Sequence, residues 1–159
     1  MGYRLTTAFL ALCVVVTSSA ADLTTGRVVH VIDGASLIVL LGDKRVNVRL
    51  EHISAPERGQ PYAHQSRQSL IAICGGELAK LNVSGKDRNS RMLARVHCNR
   101  VDAGAEQVRR GMAWVIDGDA RADAVLHAIQ DESRAARRGL WSDSRFSAGA
   151  GVARKQAND

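Results

Sequence analysis

Arginine is the residue type in this sequence best suited to binding a charged ligand. Lysine and arginine together number 22 against 16 aspartates and glutamates, which gives a formal net charge of +6, and only Lys44, Lys80, Lys86 and Lys155 are lysines. A guanidinium can donate two parallel hydrogen bonds to one phosphate, whereas an ammonium acts as a point charge. The composition therefore favours a phosphate-bearing or other polyanionic partner, although proteins without such a partner also carry this much charge.

The N-terminal segment and two cysteines indicate the compartment. Arg4 precedes a short apolar run and then several small residues, which is the order found in secretory signal peptides. We expect a signal peptide over 1–21, no membrane span, and a secreted or periplasmic protein. The remaining chain keeps Cys74 and Cys98, so an oxidising compartment favours one disulfide. The alternative is two separately buried thiols.

Hydropathy patterning predicts five strands and three helices. The predicted strands cover 26–32, 37–41, 46–50, 78–83 and 92–98, and the predicted helices cover 62–73, 105–110 and a later stretch whose apolar stripe includes Val125 and Leu126. The segment 142–159 has no period, and we expect it to be mostly disordered. Five strands with a helix after the third is the element order of an oligonucleotide-binding (OB) barrel, and the fold class is therefore mainly β with appended helices (α+β).

Six short motifs stand in order along the chain. They are Val31-Ile32-Asp33-Gly34, Val48-Arg49-Leu50 leading to Ala55-Pro56-Glu57, Gln60-Pro61-Tyr62, Lys86-Asp87-Arg88 leading to Arg91, Val108-Arg109-Arg110-Gly111-Met112-Ala113-Trp114, and Ala136-Arg137-Arg138-Gly139-Leu140-Trp141. Together they resemble the thermonuclease family, of which staphylococcal nuclease is the best-known member. The resemblance implies a five-stranded OB-fold barrel of the staphylococcal nuclease type with three helices, in a domain over 22–141.

The resemblance also implies calcium-assisted hydrolysis of phosphodiesters in DNA or RNA. The family's catalytic positions fall on Arg49, Glu57 and Arg91. Their implied roles are phosphate clamp, general base or water-orienting carboxylate, and leaving-side phosphate clamp, because the transition state gains negative charge and needs an activated water. Each residue also has a structural interpretation: Arg49 and Glu57 as an ion pair that braces the barrel, and Arg91 as a solvated loop charge.

The calcium ligands implied by the resemblance are missing. Ala35 stands where the family pattern has one aspartate and Ser54 where it has another. Calcium affinity depends largely on the number of charged oxygen ligands, and an alanine offers none. Asp33 remains, but its position in the family pattern belongs to the outer shell, and an aspartate before a glycine is also a common turn residue. We therefore expect no calcium site of the usual kind and name no cofactor.

A different metal is the alternative. His52, His64 and Glu57 are close in sequence, and imidazole is a ligand for zinc or copper. These histidines lack the regular spacing of established zinc motifs, so ordinary surface or core roles are the competing interpretation.

Three functions remain open from the sequence. The first is an exported nuclease with calcium-dependent hydrolysis weakened or lost. The second is a non-catalytic OB-fold module that binds single-stranded DNA or RNA, or another polyanion, through its arginines. The third is a protein-interaction domain with relic site residues. Few aromatic residues are available for base stacking, which counts against a dedicated single-strand binder.

Overall fold

The computed structural model describes residues 23–116 and 124–147. The strands are β1 (Leu23–Val31), β2 (Ser36–Leu41), β3 (Lys44–Leu50), β4 (Ile53–Ser54), β5 (Leu78–Lys86), β6 (Met92–Cys98), β7 (Val101–Asp102) and β8 (Trp114–Val115). The helices are α1 (Ala63–Cys74), α2 (Ala103–Arg109), α3 (Ala124–Ala135) and α4 (Ser144–Ser147), with one 3-10 turn at Gly139–Ser142. The signal peptide predicted over 1–21 lies outside the described residues.

Five of the strands close into a barrel. They are hydrogen-bonded in the order β3-β2-β1-β5-β6, and a parallel pairing between β3 and β6 completes the ring. The other pairings around the ring are antiparallel. This arrangement confirms the predicted five-stranded OB-fold barrel with appended helices.

Strand alternation separates the barrel core from the outer surface of β3. Val48 and Leu50 are buried with Val28 and Val39 in one apolar cluster, because alternate residues of a strand face the same side. Arg49 lies between the two buried residues and is only partly covered. The alternation therefore directs Arg49 away from the core.

Helix α3 follows the predicted helical period but buries a different set of residues. Leu126 is buried as expected, whereas Val125 is 65% exposed, so its place in the buried stripe was wrong. Gln130, which the predicted stripe did not include, also faces inward, and its side-chain oxygen accepts a hydrogen bond of 2.8 Å from the backbone N–H of Val115. The inward face of α3 is thus partly polar because it satisfies the backbone of β8.

Regular structure continues past Trp141, where disorder was expected. Phe146 of α4 packs edge-on against Tyr62, with ring centroids 5.7 Å apart. This aromatic contact anchors Ser144–Ser147, which form a short helix within the segment 142–159 that was expected to be mostly disordered. Residues 148–159 lie outside the described part of the chain.

The predicted cysteine pair forms a disulfide. Cys74 ends α1 and Cys98 ends β6, and their Cα atoms are 5.4 Å apart. Both residues are buried, so the bond ties the helix to the barrel from inside. Within residues 23–116 and 124–147, no helix is long and apolar enough to cross a membrane.

Candidate functional site

Arg49 and Arg91 come together where β3 and β6 run side by side. Val48 is paired with Met92 in the parallel ladder, so the residue after Val48 and the residue before Met92 lie at the same junction. The pKa of Arg49 is lowered, first by burial and then by the nearby positive charge of Arg91. Two guanidiniums are therefore held close enough to repel each other, an arrangement that an anion between them would stabilise.

Asp87 fixes the position of Arg91. The Arg91 Nε donates a hydrogen bond of 2.6 Å to Asp87 Oδ2, and the backbone N–H groups of Asn89 and Arg91 each donate one of 2.9 Å to Oδ1. In the described part of the chain, the two terminal nitrogens of Arg91 form no hydrogen bond. The carboxylate therefore orients Arg91 through Nε alone and leaves the outer nitrogens for another acceptor.

The pKa of Asp87 reflects this arrangement. Partial burial would raise the pKa of the carboxyl, but the hydrogen bonds from Arg91 and Asn89 lower it overall. Asp87 is therefore ionised at neutral pH and holds the β5–β6 loop in one conformation.

Arg49 reaches from β3 to the short strand β4. Its Nη2 lies 3.3 Å from the carbonyl oxygen of Ile53 and 3.4 Å from the hydroxyl of Ser54. The negative charges of Asp33, Asp87 and Glu57 act on the same guanidinium and raise its pKa against the effect of burial. The site thus combines two guanidiniums with three carboxylates.

Glu57 lies at the start of the loop that leads into α1. Its side chain is exposed, and its backbone N–H donates a hydrogen bond of 2.9 Å to the side-chain oxygen of Gln60. The Gln60 N–H in turn donates to the Glu57 carbonyl oxygen, at 2.9 Å. This closed turn fixes the backbone at Glu57, and the structure brings all three predicted catalytic residues to one region.

The loop between β1 and β2 contains the first position at which the resemblance implies a metal ligand. The Ala35 N–H donates a hydrogen bond of 2.8 Å to Asp33 Oδ1, and the Ala35 carbonyl accepts one of 2.8 Å from Leu50. Ala35 is fully buried in the apolar core. Asp33 therefore stabilises a tight turn, as its position before a glycine suggested, and Ala35 presents only a methyl group.

Gln107 supports this loop and was not singled out from the sequence. It is fully buried in α2, and its Nε2 donates to the carbonyl oxygens of Gly34 at 2.7 Å and Ser66 at 3.0 Å. A Cβ at Gly34 would lie 1.7 Å from the Ser66 hydroxyl, so only glycine fits there. A lone glutamine in an amphipathic helix carries no spacing signal, which is why the sequence did not reveal it.

Comparison with known proteins identifies the family. A family model described as Staphylococcal nuclease homologue matches residues 47–143. The chain belongs to this family. The match includes Arg49, Glu57 and Arg91 and ends just beyond the 3-10 turn.

Bacterial relatives cover most of the chain. A protein named Uncharacterized endonuclease from Escherichia coli O157:H7 is 37% identical over 120 residues, which is 75% of this chain and 78% of the relative. Another protein of that name, from Haemophilus influenzae, is 33% identical over 141 residues, covering 88% and 79%. A protein named Micrococcal nuclease from Shigella flexneri is 31% identical over 128 residues, covering 74% of each.

The residues at the two positions where the resemblance implies metal ligands do not fit calcium. Ala35 has no oxygen in its side chain, and the Ser54 hydroxyl lies within hydrogen-bond distance of the Arg49 guanidinium. No group of three or more His, Cys, Asp or Glu side chains in residues 23–116 and 124–147 is placed to hold a metal ion. The alternative set of His52, His64 and Glu57 is therefore not assembled into a metal site either.

Proposed function

We propose that this chain is an exported nuclease-type protein that acts on the phosphodiesters of DNA or RNA, and that calcium-stimulated hydrolysis is weak or lost in it. The convergence of Arg49 and Arg91 at the β3–β6 junction is the observation that carries the proposal. Three relatives named as endonucleases or a nuclease support the reaction class. The disulfide between Cys74 and Cys98 supports export, because such bonds persist in oxidising compartments.

The two arginines would bind the non-bridging oxygens of one phosphate. The β3–β6 pairing sets the position of Arg49, and Asp87 sets that of Arg91. Phosphodiester hydrolysis adds negative charge to the phosphate as the transition state forms, so fixed guanidiniums stabilise that state more than the substrate. Removing one such contact typically costs roughly 10²-fold to 10³-fold in rate.

Glu57 would orient the attacking water and accept its proton. An exposed carboxylate on a rigid turn suits this role, since a general base must reach the attacking water and orient it toward the phosphate. The mechanism therefore uses one carboxylate and two guanidiniums of this chain, and it contains no step through a metal ion.

Recognition would occur through the phosphates of a single strand. The four aromatic residues of the described chain, Tyr62, Trp114, Trp141 and Phe146, share one cluster, and Trp114 and Trp141 are buried in it. They pack against each other, so base stacking is not the basis of the proposed binding. Arginine contacts with phosphates are insensitive to sequence, and binding should weaken steeply with salt.

A non-catalytic polyanion-binding module is the second candidate. The loss of carboxylates at positions 35 and 54 favours it, because a site that keeps its arginines but lacks metal ligands can still bind phosphate. This candidate predicts binding by Arg49 and Arg91 without turnover.

One experiment separates the two candidates. Cleavage and binding of single-stranded DNA and RNA would be measured with calcium, with zinc and with a chelator, for the wild type and for Arg49→Gln, Glu57→Gln and Arg91→Gln. Arg45→Gln, an exposed arginine at the other end of β3, is the matched control. The proposal predicts slow cleavage without calcium stimulation that each site variant lowers and the control does not. Binding without cleavage would favour the second candidate, and strong calcium-dependent cleavage would refute the loss of the metal.

A further inference from the structure

A second concentration of arginines lies outside the Arg49–Arg91 site. It forms where the end of α2 meets the segment that follows α3, and the two stretches contain Arg-Arg-Gly at 109–111 and 137–139. We define the arginine cluster as the exposed residues Arg109, Arg110, Arg134, Arg137 and Arg138.

Backbone contacts hold the two Arg-Arg-Gly turns together. The Leu140 N–H donates a hydrogen bond of 2.8 Å to the Gly111 carbonyl, and the Arg138 Nη1 donates one of 3.2 Å to the Arg109 carbonyl. A Cβ at Gly139 would lie 2.4 Å from the Gly111 carbonyl oxygen, so glycine alone permits this close approach. The arginines on both turns are therefore brought together by the fold itself.

The positive charge of the cluster is only partly balanced. Glu106 accepts hydrogen bonds of 2.6 Å from Arg109 and 2.8 Å from Arg110, and in the region that the structure describes it is the one carboxylate paired with the cluster. Arg134 stacks over the ring of Trp141, with its guanidinium carbon 4.4 Å from the centroid. Five guanidiniums thus face solvent with one paired carboxylate among them.

We propose that the arginine cluster is an accessory contact surface for the phosphate backbone of a nucleic acid strand that extends beyond the Arg49–Arg91 site. The proposal rests on the proposed function for its substrate class. Guanidiniums suit phosphates because their planar donor forks match the oxygens of the phosphate, and clustered arginines of this kind are an electrostatic footprint of backbone binding. An anionic membrane surface offers lipid headgroups instead, and binding to anionic vesicles distinguishes it from a nucleic acid strand.

The test compares two double variants with the same net charge. Arg109→Gln with Arg137→Gln removes two charges from the cluster, and Arg45→Gln with Arg100→Gln removes two exposed charges elsewhere. Binding to labelled oligothymidylates would be measured by fluorescence anisotropy across a range of salt concentrations. One probe has about 4 nucleotides and the other about 20, which exceeds the roughly 4 to 16 that one OB barrel covers.

The cluster variant should bind the long probe about 10-fold more weakly at low salt. The slope of log affinity against log salt should become shallower by about 1.4, since each phosphate contact on a single strand contributes about 0.7. Its affinity for the short probe should equal that of the wild type. The control double variant should match the wild type on both probes. If the cluster double variant fails to fold, Arg137→Gln alone should change the slope by about half as much.

Other outcomes would overturn the proposal. Equal binding of the long probe by the cluster variant and the wild type would refute the accessory surface while leaving the proposed function standing. Equal losses in both double variants would assign the effect to net charge and refute the surface as well. Failure of the wild type to bind either probe would refute the proposed function itself. Cluster-dependent binding to phosphatidylglycerol vesicles, with none to the long probe, would assign the surface to membranes instead.

Discussion

The Arg49 guanidinium lies 3.4 Å from the hydroxyl of Ser54. A cationic side chain therefore contacts the position at which the resemblance implies a metal-binding carboxylate. The serine is 7% exposed, so the contact is shielded from water. Arg49 can remain ordered here without a metal, because Ser54 and the Ile53 carbonyl accept its hydrogen bonds.

Restoring both carboxylates should create a calcium site. In the variant Ala35→Asp with Ser54→Asp, the fully buried position 35 would carry a charge that is costly without a cation. Calcium should then stabilise the variant by mass action and raise its Tm by about 5 °C or more at saturating concentration, with no change in the wild type. Cleavage of single-stranded DNA should rise about 10²-fold. Differential scanning calorimetry with and without calcium provides a measurement independent of activity.

Neutral replacements are the matched control for that variant. Ala35→Asn with Ser54→Asn has nearly the same shape and should show no response to calcium in Tm or rate. Each single aspartate variant should respond less than the pair, because one carboxylate rarely holds calcium alone. A double aspartate variant that folds but neither binds calcium nor cleaves would show that the loop no longer has the geometry of a metal site.

Asp87 should make the β5–β6 loop sensitive to acid. Its pKa is lowered in the folded protein despite the opposing effect of burial, because Arg91 and Asn89 donate hydrogen bonds to it. A lowered folded pKa contributes stability above the unfolded value of about 3.9, and that contribution is lost as pH falls through the lower folded value. Asp87→Asn should therefore be less stable than the wild type by about 1 kcal/mol at pH 7, and the difference should shrink below about pH 4. Urea unfolding of both proteins at several pH values measures this difference in stability. A difference that does not change with pH would contradict the lowered pKa of Asp87.

The barrel could be predicted from the sequence because its signals are local. Apolar and polar residues alternate strictly over 46–50. Beyond the expected signal peptide the sequence has two cysteines, so each had one possible partner. Arg49 and Arg91 were identified through family motifs, whereas their proximity depends on the parallel β3–β6 pairing, which joins distant segments.

Gln107 is the residue that the sequence most clearly failed to reveal, since its role depends on the carbonyl oxygens of two residues far away in sequence. Val125 was misplaced because hydropathy does not indicate when a polar residue such as Gln130 occupies the inner face.

The disulfide should account for a large share of the stability. Cys74 and Cys98 are 24 positions apart, and closing a loop of that length stabilises a protein by roughly 3.5 kcal/mol in the chain-entropy model. Cys74→Ala with Cys98→Ala should lower the free energy of unfolding by about that amount. Reductant should destabilise the wild type similarly and leave the double variant unchanged. Mass spectrometry of the folded protein should show the loss of two hydrogens, and two free thiols on the folded chain would rule out the bond.

Gly111 should be the glycine least tolerant of substitution among those with a left-handed backbone. Its φ is +66°, and an added Cβ would lie 2.1 Å from the Arg138 carbonyl oxygen. That oxygen is a backbone atom of the turn whose Leu140 N–H donates a hydrogen bond to the Gly111 carbonyl. Gly111→Ala should therefore lower the free energy of unfolding by about 3 kcal/mol or more, from left-handed strain of about 1 to 2 kcal/mol and the displacement of two packed turns. Gly42→Ala is the matched control, because Gly42 has φ +58° but nothing within 4 Å of the added Cβ. Gly42→Ala should lower the free energy of unfolding by the left-handed strain alone, about 1 kcal/mol. Urea unfolding with equal m-values compares the two, and equal losses would mean that the Gly111–Arg138 contact does not constrain the fold.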